Sequence, residues 1–309
     1  MRQTCLEMVY ALAKQDPRVV FLGSDLSPGT LRKFKEEMPE RYFMEGVCEA
    51  LVVGMAAGLA LEGHVVYVNT IGTFITRRCF EQVAADVCLH NLNVRLIGNG
   101  GGLVYAPLGP THLAIEDISI FRALPNMTIV AVADAEEMKR LMPQTLDHPG
   151  PIYIRLAKGG DPVVTDGSVP FRIGKGMPMR HGNDALLVTT GITLKAAQDA
   201  VKRLADDGIQ CAILHMPTIK PLDQELFLAL SAGVRAVITI EENTILGGLG
   251  GAVAEVIAEA GFSPAKKFRR IGIPDVFPDR YGSQANLMDY YRINADGVVA
   301  TVRALLDGQ

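Results

Sequence analysis

The chain has few cysteines, and they do not group. Cys5, Cys48, Cys79, Cys88 and Cys211 are odd in number, scattered, and contain no CxxC pair. That pattern excludes a disulfide framework and a cysteine zinc site, and it predicts reduced thiols and a cytoplasmic location. A surplus of positive charge is also missing. The net charge of −4 leaves no electrostatic footprint for nucleic acid or for an acidic membrane face. No apolar run reaches the roughly 18 residues of a membrane span without a charged or polar break. The opening segment, "MRQTCLEMVYALAKQ", has the pattern of an amphipathic helix and lacks a signal-peptide cleavage site. The phosphate loop GxxxxGK[ST], the zinc signature HExxH and the nucleophile elbow GxSxG are absent. "EENTILGGLGGAVAEVI" (241–257) imitates a dinucleotide loop, but Gly248-x-Gly250-x-x-Val253 lacks the third glycine. Its glycines predict a tight turn and close helix packing. His64, His90, His148, His181 and His215 show no metal-ligand spacing.

What is present is a regular alternation. "VVFLGSDL" (19–26), "HVVYVNT" (64–70), "VRLIGNG" (94–100), "TIVAVAD" (128–134) and "PIYIRLA" (151–157) are nearly continuous apolar runs, as expected of strands buried on both faces of a parallel sheet. Helical patterns fall between them at 46–62, 78–90, 114–123 and 135–146, the last opening with Asp134 as a cap. A Gly-, Pro- and Asp-rich stretch (158–184) then breaks the rhythm. A second alternation follows, with strands at 185–191, 211–216, 236–243 and 268–273 and helices at 193–206, 223–231, 248–260 and from Ala295. A length of 309 residues suits about two domains. The reading is α/β: residues 1–165, a linker over 166–184 with room for a short hairpin, and residues 185–309, each domain built on a mostly parallel sheet flanked by helices.

In open α/β sheets, ligands sit beyond the carboxyl ends of the strands. The stretch "FMEGVCEALVVGMAAGLALEG" (43–63) is apolar nearly all round, which predicts a helix buried on every side. Glu45 and Glu49 share one face at its start. A carboxylate buried at Glu49 must be paired, hydrogen-bonded or protonated, and desolvation raises its pKa. The alternative is an exposed first turn, where the helix dipole favours acids; for Glu45 that reading is preferred. In "NTIGTFITRRCFEQ" (69–82), Phe74 follows a strand end, where it either stacks on a flat heterocycle or fills core. Arg77 either holds an anion or begins, with Arg78, a solvated helix start. The long loop "GNGGGLVYAPLGPTHLAIED" (98–117) carries His112 near a helix N-terminus, as a proton shuttle or as a cap.

Together these segments resemble the C-terminal half of transketolase and of deoxyxylulose-phosphate synthase. The resemblance runs in order through "GSDL" (23–26), "MEGVCEALVVGMAAGLALEG" (44–63), "TFITRRCFEQVAADV" (73–87), "GPTHLAIEDISIFRALPNMTIVAVAD" (109–134), "PIYIRLAKG" (151–159), "HMPTIKPLD" (215–223), "EENTILGGLGGAVAEV" (241–256) and "GIPDVF" (272–277). It implies a pyrimidine-binding domain and a C-terminal domain that bind thiamine diphosphate at a subunit interface. It also implies catalytic roles for Glu49 and His112. Glu49 would hydrogen-bond the ring nitrogen of the cofactor's aminopyrimidine, favouring the imino tautomer that removes the thiazolium C2 proton. Phe74 would stack on the ring, with Ile71 and Arg77 flanking it. His112, Arg155 and Lys158 would contact a sugar phosphate, Lys158 standing where the family has arginine. The family's "REH" is "CEA" here (48–50), Asn243 replaces a common histidine, and the loop 98–108 replaces a histidine and an acid.

The strand-linked GDG with its downstream Asn, which grips the metal diphosphate in thiamine enzymes, is absent. The expectation is therefore a split transketolase. A separate N-terminal subunit would hold the diphosphate and Mg²⁺ or Ca²⁺, the present chain would dimerise, and the assembly would be a heterotetramer transferring a two-carbon ketol unit. The alternatives are the beta subunit of a 2-oxo acid dehydrogenase, whose "HSQ" loop differs from "GPTH", and a non-catalytic transketolase-like partner protein.

Overall fold

The computed structural model describes residues 1–23, 29–157 and 159–307. The first sheet is built from β1 (Val19–Gly23), β2 (Tyr42–Met44), β3 (Val65–Ile71), β4 (Val94–Asn99), β5 (Thr128–Ala131) and β6 (Ile152–Leu156). The second contains β7 (Met177–Arg180), β8 (Ala185–Thr189), β9 (Cys211–His215), β11 (Ala236–Thr244) and β12 (Lys267–Ile273). Between β9 and β11 the chain returns to the first sheet as β10 (Thr218–Lys220). The spatial orders are β10-β5-β6-β4-β3-β1-β2 and β12-β11-β8-β9-β7. Every pairing is parallel except the two edges, β10 on β5 and β7 on β9.

The strands of the first sheet are apolar on both faces because both faces are covered. Phe21, Val65, Tyr67 and Ile154 belong to one core, packed under the helix Arg2–Gln15 and the helix Ala135–Leu146. Leu22, Val66, Val68 and Leu96 belong to a second core under the helix Glu49–Leu61. Neighbouring residues on one strand thus enter opposite cores, as the two-residue period of a strand dictates.

Several expectations are revised. The helix expected over 78–90 is two shorter pieces, Phe80–Gln82 and a π-helical turn Val83–Cys88, preceded by a further helix, Gly72–Arg77. The segment 166–184 is not a plain linker, because β7 lies within it and Phe171 packs into the first core. The short strands β2 and β10 escape a periodicity reading at three residues each. The helix Glu49–Leu61 is not buried on every side: Val52, Val53, Ala56 and Ala57 face the core, while Leu51 and Leu61 are 59% and 65% exposed.

The two sheets are locked together rather than tethered. Besides β10, Ser119 Oγ donates to the Leu246 carbonyl, Arg122 Nε donates to the Gly247 carbonyl at 2.8 Å, and Arg122 pairs with Glu255. Asp134 is a further junction. Fully buried, it caps the helix Ala135–Leu146 through Glu137 N and accepts from Val164 N, Thr165 N and Thr165 Oγ1 at 2.7–2.9 Å. Burial works against its charge, but the four donors prevail and hold its pKa below the usual range. Asp134→Ala should remove about 3 kcal/mol and lower Tm by about 5–10 °C in calorimetry. A drop within 1–2 °C, on the order of a surface substitution, would contradict this role.

Candidate active site

β3 ends at Ile71 and the chain turns at once into the helix Gly72–Arg77, so Phe74 stands beyond a carboxyl strand end near the middle of the sheet. Glu49 is the first residue of its helix, where the dipole favours an acid, yet only 5% of it is exposed. Its burial is answered by pairing. Arg78 Nη1 lies 3.1 Å from Glu49 Oε2 and 3.4 Å from Oε1. The same guanidinium sits over the Phe74 ring, its Cζ 3.7 Å from the ring centroid. The His112 ring meets Phe74 edge-on, with centroids 5.3 Å apart, and its Nδ1 lies 2.9 Å from Thr111 Oγ1. Glu49, Phe74 and His112 therefore share one cluster, with Ile71 half-buried at the adjoining strand end. Glu45 is exposed, in line with the solvated reading.

Only Arg77 carries an expected site role, and the structure gives the two arginines different partners. Arg77 pairs with Glu116 through Nε and Nη2 and donates to the carbonyls of Leu113 and Pro110 at 3.2 and 3.3 Å. It braces the loop that carries His112 and does not flank the Glu49–Phe74 slot. Arg78 takes that position. The signal was in the sequence: Arg78 follows Phe74 by four residues, one helical turn, so the two share a face.

Arg155 is also corrected. It is buried, Nε donates to Asp117 Oδ2 at 2.8 Å, and Nη2 donates to the carbonyls of Ala114 and Glu242 at 3.1 and 2.8 Å. With Nε and Nη2 turned inward, it joins the two sheets, and these two nitrogens are engaged by the chain itself rather than held toward a sugar phosphate. Asp117, fully buried, also accepts from Tyr153 Oη at 2.7 Å. Lys158 lies outside the described residues.

The glycine-rich loop 98–108 belongs to the same junction. Gly102 has φ +67°, and a Cβ there would strike the Glu242 side chain; the Glu242 carboxylate accepts from Leu103 N and Gln284 Nε2, both at 2.8 Å. The loop that replaces the family's histidine and acid is thus fixed by a carboxylate of the second domain. Next to it, Glu241 caps the helix Leu249–Ala260 by accepting from Leu249 N and Gly250 N at 2.8 Å. Its carboxylate fills the space a Cβ at Gly248 would need. The helix terminus that imitates a dinucleotide site is therefore already occupied by the chain's own anion.

Burial pushes Glu242 up from 4.5 to about 7, and Glu241 likewise. An acid raised in the folded state supports the fold fully below its unfolded pKa and loses that contribution as pH rises through its folded one. The Tm difference between Glu242→Gln and the parent should therefore grow in favour of the variant from about pH 4.5 to about pH 7, then level off. A difference that does not change with pH would contradict the assignment.

Comparison with known proteins bears on this geometry. The family profile described as the transketolase pyrimidine binding domain matches residues 1–160, and that of the transketolase C-terminal domain matches residues 174–298. A putative transketolase C-terminal section of Methanocaldococcus jannaschii is 35% identical over 98% of this chain and 95% of its own length. A 6-deoxy-6-sulfo-D-fructose transketolase subunit of a Clostridium species is 34% identical over 94% of this chain and 88% of its own. A solved structure described as a split gene transketolase, inactive beta4 tetramer, superposes with a TM-score of 0.90 at 33% identity, covering 99% of this chain and 98% of that one. The two sheets, their order along the chain and these matches agree: the chain belongs to the transketolase family, over its pyrimidine-binding and C-terminal domains.

Proposed function

We propose that this chain is the C-terminal subunit of a split, thiamine diphosphate-dependent transketolase, moving a two-carbon ketol unit from a ketose phosphate to an aldose acceptor. The observation that carries the reading is the slot itself. A buried carboxylate, Glu49, and an aromatic face, Phe74, hold a planar cation edge-on and face-on at once. An aminopyrimidine protonated at its ring nitrogen presents the same features, a flat cationic ring with an N–H on its edge, so the residues fit that end of the cofactor. When bound, thiamine diphosphate supplies the carbanion-stabilising centre of the reaction. Glu49, only 5% exposed, would hold the proton at the ring nitrogen. Phe74 fixes the ring plane, and His112, against the Phe74 edge, is placed to donate to sugar oxygens.

The diphosphate and a Mg²⁺ or Ca²⁺ ion belong to a separate N-terminal subunit in this reading, since the GDG…Asn set is absent from the sequence. The relatives named as a section, a subunit and a split gene product support that division. Self-association follows from the outer face of the helix Glu49–Leu61. Leu51, Gly54, Gly58 and Leu61 fall on one side of it, nothing stands within 4 Å of a Cβ at either glycine, and Val47, two residues before the helix, is 68% exposed. Exposed apolar surface of this kind marks a protein contact, and two glycines allow two helices to approach closely.

Two outcomes are expected. In the complex with a GDG-bearing subunit, Glu49→Gln should lower kcat for ketol transfer by about 10²–10⁴-fold without dissociating the subunits; unchanged turnover would remove Glu49 from the chemistry. Gly58→Arg, at a position with open space around it, should leave the melting profile intact and shift the chain to a smaller species in sedimentation velocity. An unchanged sedimentation coefficient would place the self-contact elsewhere.

A further inference from the structure

Resting on that reading, we propose that Arg78 is a built-in stand-in for the cofactor's ring: it occupies the aminopyrimidine seat in the cofactor-free chain and must leave before the ring can enter. The two positions coincide by chemistry. A guanidinium is planar, carries donors along its edge and stacks on aromatic faces. Arg78 makes both contacts the seat has to offer, a bond to each Glu49 oxygen and a face-on approach to Phe74 at 3.7 Å. No second flat group fits between Phe74 and the ring nitrogen's partner while the guanidinium stays.

The seat is made to be vacated. Glu49 is 5% exposed while Arg78 is 47% exposed, so the carboxylate is the floor and the arginine the solvent-side plug. Arg78 lies just past the helix Gly72–Arg77, and rotation about its side-chain bonds is enough to release it without moving Phe74 or Glu49. Its neighbour Arg77 has no such freedom, held by Glu116 and two carbonyls. The adjacent pair thus divides the work: one arginine braces the His112 loop and the other covers the ring seat.

The arrangement has two consequences. The buried Glu49 never stands unpaired, which would cost several-fold more than the pair contributes. Ring binding is also weakened, because it must first displace a stacked, charge-paired group whose hold is worth about a tenfold change in affinity. The chain alone is then a poor binder of the ring, and affinity comes with the diphosphate held by the partner subunit.

The test uses the full chain and two small probes, 4-amino-5-hydroxymethyl-2-methylpyrimidine and the methylguanidinium ion, with dissociation constants from ligand-detected NMR. Arg78→Ala should bind the pyrimidine about tenfold more tightly than the parent, and adding Phe74→Ala should abolish the gain. Methylguanidinium should compete with the pyrimidine on Arg78→Ala and raise its Tm, with no effect on the parent. Arg78→Lys, which retains a cation for Glu49 without a flat stacking group, should bind with intermediate affinity and guards against misfolding of the alanine variant. Weaker or equal pyrimidine binding by Arg78→Ala overturns the proposal, and equal binding leaves the thiamine reading standing. If the pyrimidine binds neither chain while methylguanidinium still binds Arg78→Ala through Phe74, the thiamine reading itself fails, and the stand-in role with it.

Discussion

A single constraint organises this site: a carboxylate placed out of water has to have a partner. Glu49 opens a helix whose inner face is built of Val52, Val53, Ala56 and Ala57, and nothing apolar nearby can satisfy it. An uncompensated carboxylate in such surroundings would cost several kcal/mol. The fold therefore brings a flat cation to it, and the position of that cation is set by a ring, Phe74, two residues after the buried Gly72 that follows β3. The chemistry proposed for the chain is an exchange of partners at this carboxylate, an internal one for an external one.

The same logic recurs at the junction of the two sheets, with the opposite outcome. Asp117, Glu241, Glu242 and Asp134 are all buried, and each is matched by donors from the chain itself: Arg155 and Tyr153, the terminus of the helix Leu249–Ala260, Leu103 and Gln284, and the Val164–Thr165 backbone. None of these partners is half-exposed in the manner of Arg78. Buried networks held by several internal donors make rigid joints, whereas the Glu49 pair has one member at the solvent edge. Exposure of the partner, more than burial of the acid, separates the carboxylate proposed to be reactive from the structural ones.

Much of this was legible in the sequence, and the failures have physical causes. Strands such as β3 and β4 and the helix Ala135–Leu146 follow from apolar runs, period and an Asp134 cap, all of which are local signals. The Glu49–Phe74–His112 cluster was reached through the order of weak motifs. Arg155 was misread because a strand-end arginine looks the same in sequence whether it turns toward a cleft or toward an aspartate 38 positions earlier. Arg78 was passed over for Arg77 because adjacent residues on a helix point about 100° apart, and only the turn's position after β3 decides which one covers Phe74. The three-residue strands β2 and β10 are fixed by pairing with distant strands, which a local pattern does not record.

The most direct measurement of the central claim is a crystal structure of this chain assembled with the proposed N-terminal subunit and thiamine diphosphate. The account predicts the aminopyrimidine stacked on Phe74, its ring nitrogen within hydrogen-bond distance of Glu49, and the Arg78 guanidinium displaced from between them. A cofactor bound with its ring elsewhere, and Arg78 still seated on Phe74 against Glu49, would contradict it.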